Sequence, residues 1–148
     1  MLTDTLLKLF KRDINKLIDE INLYKHEPNI WKVDGIVTNS TGNLCLHLIA
    51  NLNHFIGAIL GDSGYVRQRE LEFSLKDVPK SELIKQLENT LISVERTIKS
   101  LSLNDLQSEY KLHVFGEPMT TEYFLVHLNS HLAYHLGQIN YHRRLLDK

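Results

Sequence analysis

His131-Leu132-Ala133-Tyr134-His135, followed by Gly137-Gln138, decides how this chain is read. A spacing of four residues is about one helical turn, so the two imidazoles project side by side from one face of a helix. Held there, they form half of a tetrahedral or octahedral metal site. His127 lies one turn earlier and His142 two turns later. At roughly 100° per residue, all four histidines and Gln138 fall within an arc of about 80°. Phe124, Leu128, Leu132 and Ile139 border that arc, so the stripe runs along the edge of a core face. A His-x-x-x-His pair also arises by chance on ordinary helices, and a metal site needs a third ligand from elsewhere.

A second stretch supplies one. From Leu44 to Leu60 the chain is apolar nearly all round a helix, through Leu46, Leu48, Ile49, Leu52, Phe55, Ile56 and Ile59. Such a run brings a membrane span to mind, but His47, Asn51, Asn53 and His54 interrupt it, which fits a buried helix better. His47, Asn51, His54 and Ala58 share an arc of about 60°. A polar stripe on a buried helix costs several kcal/mol unless its members are paired, so it faces a pocket or a ligand. His54 lies about 10.5 Å along the axis from His47. With metal–nitrogen bonds of about 2.0–2.1 Å, it is expected to line the pocket with Asn51 as a polar or basic group and not to be a ligand. Cys45 points away from the stripe.

The remaining elements follow from periodicity and punctuation. Leu6, Leu7, Phe10, Ile14, Leu17, Ile18 and Ile21 predict a first helix from Thr3 to about Lys25, stopped by Pro28. Trp31 is expected to pack over a helix end. Ser40, Thr41 and Asn43 offer caps for the second helix, and Gly61-Asp62-Ser63-Gly64 ends it. Tyr65 to Glu70 reads as a long loop, either facing a substrate with its arginines or solvated with surface ion pairs. Pro79, Ser81 and Glu82 open a third helix, with Ile84, Leu87, Leu91, Val94, Ile98 and Leu101 as its core face. Tyr110 to Phe115 reads as a short strand or hairpin. Thr120, Thr121 and Glu122 start the last helix, which runs to about Leu146. With no repeat or linker, residues 1–148 are expected to form one domain, a four-helix bundle whose facing helices build the site.

Composition narrows the function classes. Net charge is −1 with Lys and Arg scattered, which argues against nucleic-acid binding. A lone cysteine fits a reducing cytoplasm, and the N-terminus does not read as a signal peptide. Neither a nucleic-acid nor a membrane partner is expected.

These histidines together resemble a known family. A histidine in a buried second helix plus His-x-x-x-His-x-Gly-Gln in the last one is similar to the DinB-like four-helix superfamily. Thr41-Gly42-Asn43-Leu44 through His47, His54-Phe55-Ile56-Gly57, Gly64-Tyr65-Val66-Arg67 and Arg69-Glu70-x-Glu72-Phe73 look like one uncharacterised branch of it. The resemblance implies an all-α, up-down-down-up bundle, often a homodimer, binding a divalent metal through His47, His131 and His135. Zn²⁺ and Ni²⁺ are the expected ions. Relatives include transferases of low-molecular-weight thiols such as bacillithiol, and a mycothiol-dependent maleylpyruvate isomerase.

The expected activity is therefore metal-dependent transfer of such a thiol to an electrophilic small molecule, with Asn51 and His54 as polar groups of the pocket. One alternative is a metal-dependent hydrolase, although Leu132 follows His131 where a His-Glu-x-x-His protease carries its glutamate. The other is a non-catalytic protein that binds metal or a ligand. His127 and His142 are expected to be ordinary hydrogen-bonded histidines. His26 and His113 have no assigned role.

Overall fold

Leu6, Phe10, Ile14, Leu17 and Ile21 recur every three or four residues, and all are buried along one face of helix α1, Leu2–Asn22. The computed structural model describes residues 1–148. α1 ends before Lys25, and Pro28 is not what stops it. Pro28 instead sits in the first turn of a 3-10 segment, Glu27–Trp31, where its missing N–H is no loss. α2, Thr41–Leu52, begins at Ser40, whose Oγ accepts a hydrogen bond from the Asn43 backbone N–H at 3.1 Å. α4 is Lys80–Ser100 and α6 is Thr121–Leu146, the latter capped by Thr120 Oγ1 on the Tyr123 N–H. Two short helices join these, α3 at Arg69–Ser74 and α5 at Leu103–Gln107.

Three further readings of the sequence need correction. The second helix does not continue as an α-helix to Leu60. It turns π-helical over Asn53–Ala58, where the Ile59 N–H donates to the His54 carbonyl and the Gly61 N–H to Ile56. Tyr110 to Phe115 forms no strand: pairing is confined to one antiparallel bridge, Glu109 with Thr120, where the Tyr110 N–H donates to the Met119 carbonyl. The Tyr110 ring is buried and its hydroxyl donates to the Phe55 carbonyl at 2.7 Å. On α4 the core positions are Leu83, Leu87, Thr90, Val94, Thr97 and Ile98, while Ile84, Leu91 and Leu101 are only partly buried. The threonines are tolerated inside because Thr90 and Thr97 donate to the carbonyls four residues back, Gln86 and Ser93.

Contacts between the ends of the long helices fix the topology. Arg143 and Asn140 of α6 both reach Glu20 near the end of α1, so these two helices run parallel. The start of α2 meets the end of α6 through Thr41, Tyr24 and His142, and Phe55 meets Phe124 at the other end. α2 and α6 are therefore antiparallel. Asn53 bonds Thr90, and Gly57 abuts Ser93, so α2 and its π-helical extension run parallel to α4. The result is an up-down-down-up four-helix bundle in which α1 and α2 each pack against both α4 and α6. One cluster of 25 buried residues joins all four long helices, so the core does not depend on an ion. No helix is long and apolar enough to cross a membrane.

Trp31 packs over the first turn of α2, as its position after α1 led one to expect. A Cβ added at Gly42 would stand 2.6 Å from three atoms of the indole ring. Gly42→Ala is therefore expected to destabilise the protein by about 1–3 kcal/mol through overpacking. A lowered urea midpoint would register this, and an unchanged one would mean that Trp31 moves aside freely.

Candidate metal centre

Periodicity alone puts His131 and His135 together, one turn apart on α6. The antiparallel packing of α2 on α6 adds His47. One nitrogen from each of the three lies within 4.8 Å of the others. His131 Nε2 stands 3.2 Å from His47 Nε2 and 3.1 Å from His135 Nε2. Three nitrogens bound to one ion at about 2.0–2.1 Å are separated by roughly 2.9–3.4 Å in octahedral or tetrahedral geometry. The two spacings from His131 fit that range.

The outer nitrogens settle which way two of the rings face chemically. His47 Nδ1 is 2.8 Å from Glu72 Oε1, and a carboxylate only accepts, so Nδ1 carries the hydrogen. His135 Nδ1 likewise donates to Gln138 Oε1 at 2.7 Å, with the Gln138 amide nitrogen turned toward the Tyr134 hydroxyl. Both Nε2 atoms are thereby left bare and directed at the shared centre. Metal-binding histidines are commonly held in this way by an acceptor on the far ring nitrogen. The group is thus able to hold a metal ion.

Glu72 is the residue that sequence reasoning assigned no role. It belongs to α3, in a stretch partly read as loop, and is buried. Arg67 clamps it with two bonds, Nε to Oε2 at 2.8 Å and Nη2 to Oε1 at 2.9 Å. Burial raises the Glu72 pKa, but the bonds from Arg67 and His47 outweigh it and leave the group lowered and ionised. Asn43 holds this short helix in place, its amide donating to the carbonyls of Glu72 and Leu75. A single helical turn has no periodicity to detect. The available signal was a glutamate between Leu71 and Phe73, five residues after an arginine.

The other stripe residues separate by depth. Asn51 lines a cavity of about 290 Å³ beside His47 and His131, and its Oδ1 is buried without a partner. His127 lines the same cavity, with its ring stacked on Phe124 and edge-on to Phe115. His54 is outside the three-histidine group and is not on the cavity wall. Its ring lies against Phe55, which is on the wall. His142 is a buried structural histidine. Its Nε2–H donates to the Lys32 carbonyl at 2.8 Å, and its Nδ1 accepts from the Tyr24 hydroxyl at 2.7 Å. Cys45 is fully buried, and its thiol pKa is pushed up to about 12 by that burial.

Burial also favours the neutral form of His47, His131 and His142. His131 is lowered to about 4, first by desolvation and then by the neighbouring imidazoles of His135, His47 and His127. His47 and His142 are lowered by the same leading cause. The unfolded chain takes up protons near the ordinary value of 6.5, whereas the folded one resists until lower pH. Metal-free protein should therefore keep this part of its stability above that value and lose it as pH falls toward about 4. Urea midpoints across that window are expected to drop on acidification, and a rise would contradict the assignment.

The DinB superfamily model matches residues 12–139, a span that contains all three histidines and Glu72. No curated protein matches the chain.

Proposed function

The chain belongs to the DinB superfamily, and from that membership and the convergent imidazoles we propose a metal-dependent transferase of a low-molecular-weight thiol. His47, His131 and His135 are the proposed ligands, through Nε2, and Zn²⁺ or Ni²⁺ the proposed ions. The observation that carries this reading is the pair of outward bonds to Glu72 and Gln138, which leave bare nitrogens facing His131. A divalent ion there supplies a positive centre that lowers the pKa of a thiol.

The rest falls to the chain's own side chains. Asn51 offers its unpartnered Oδ1 to a donor group of a ligand in the cavity. His54, whose neutral form is favoured first by burial and then by the charge of Arg67, is the proposed acceptor of the proton, from its place against Phe55. In the reaction, sulfur bonds to the electrophilic carbon, the thiol proton goes to the base, and the displaced group leaves with the electron pair. We also propose that the protein works in the cytoplasm as a homodimer. A hydrolase is the second reading: Leu132 stands where a His-Glu-x-x-His site carries its base and no carboxylate lines the cavity, so His54 would have to serve there too.

The test combines metal analysis with conjugation of monochlorobimane by a panel of thiols, including bacillithiol. Thiol-dependent, metal-dependent turnover is expected. Hydrolysis of esters without thiol would favour the hydrolase, and a metallated protein inert in both assays would favour a binding role. His54→Ala should retain its metal and lose about 100-fold in turnover. Loss of metal from that variant would show that the wrong histidine of α2 had been assigned to the centre.

A further inference from the structure

The cavity beside His47 and His131 has a wall of two kinds. One part is apolar and mostly aromatic, formed by Phe55, Phe115, Phe124 and Leu128. Phe124 packs edge-on to both Phe55 and Phe115 and is buried beneath them. Phe115 is half exposed, with its inner side against Phe124 and His127. The other part is polar and carries Asn51, Arg67 and Arg69.

The charges on this wall do not balance. No Asp or Glu lines the cavity. Arg67 is neutralised by its two bonds to Glu72. Arg69 takes part in none of the protein's ion pairs. One guanidinium is therefore left over beside an aromatic surface, at a site where a metal ion would add further positive charge. A neutral hydrocarbon would make no use of Arg69. A highly charged, fully hydrated anion would make no use of the rings. A planar apolar body bearing one carboxylate uses both, since a guanidinium pairs with a carboxylate through a fork of parallel N–H bonds.

We propose that this cavity binds a small organic acid, its carboxylate paired with Arg69 and its flat apolar body laid against the exposed ring of Phe115. The inference rests on the transferase reading only in identifying this acid as the electrophile that accepts the thiol. The acid fills the space beside the ligand nitrogens, covers Phe115 and brings its reactive carbon into the cavity that His47 and His131 line. Arg69 then determines which electrophiles are accepted.

Benzoate and benzamide test this, being nearly equal in shape but different in charge. Zinc-loaded full-length protein is titrated with each by calorimetry, alongside Arg69→Gln and Phe115→Ala. Arg69 is exposed, so its replacement leaves the core untouched. Benzoate is expected to bind the wild type and to bind R69Q about tenfold more weakly. Benzamide should bind both alike and more weakly than benzoate does the wild type, while F115A should weaken both probes. Absence of benzoate binding, equal benzoate affinity in wild type and R69Q, or benzamide binding as tightly as benzoate overturns the proposal. Unchanged affinities in F115A overturn it as well. If these differences hold and no thiol is transferred, the transferase reading fails and the acid site stands. If thiol transfer holds without them, the acid site alone fails.

Discussion

Replacing His131 by alanine is expected to abolish stoichiometric metal binding and leave the bundle folded. His131 Nε2 stands 3.2 Å from His47 Nε2 and 3.1 Å from His135 Nε2, so its removal takes away the ligand atom in close reach of both others and leaves two of three ligands. The loss in affinity should exceed the roughly 10–100-fold usual for a supporting residue outside the coordination sphere. Stability behaves differently. The imidazole belongs to the edge of the core, whereas the joined cluster of 25 buried side chains is untouched. Far-ultraviolet circular dichroism of the metal-free variant should match the wild type. A metal-free protein that is unfolded would make the ion structural, as in a zinc finger, and would weaken the catalytic reading.

Glu72→Ala is expected to damage both metal binding and stability, because Glu72 joins two functions in one carboxylate. It holds His47 Nδ1, so metal affinity should fall by roughly 10–100-fold. It also neutralises Arg67, whose side chain is only 10% exposed. Removing one partner of such a pair costs about 3–5 kcal/mol, since the other charge is left desolvated and alone. Replacing both residues together, Arg67→Leu with Glu72→Leu, should recover most of the stability and none of the metal affinity. If the double variant regained metal binding, His47 would be held by something other than Glu72.

What the sequence made legible follows the range of each signal. His131 and His135 were readable because a spacing of four residues within one helix fixes their relation locally. His47 was readable as part of a polar stripe on an otherwise apolar helix, an arrangement that demands a partner. The resemblance then selected it from the stripe, and the bundle delivered it to α6. Periodicity fixes a face but not a depth. His142 shares the arc of the other three histidines, yet it lies beside Tyr24 and Lys32 and serves the packing of α1 on α6. His54 was placed by α-helical geometry, but the backbone there turns by i to i+5 bonds, so the angular argument ends near Asn53. Glu72 and the arginines of the cavity lie 20 to 25 residues after His47, in a short helix and the segment leading into it. Only tertiary packing brings them back to α2. The core face of α4 was misread because Thr90 and Thr97, polar in sequence, satisfy themselves along the helix and enter the core.

The central claim is that His47, His131 and His135 hold one metal ion through Nε2. An anomalous difference map from crystals of zinc-loaded protein, collected at the zinc edge, tests it most directly. The account predicts a single strong peak about 2.0–2.1 Å from all three Nε2 atoms, with His47 Nδ1 still bonded to Glu72 and His135 Nδ1 to Gln138. A peak bound through Nδ1, a peak at His54 or His127 in place of His47, or no peak at this centre would contradict it.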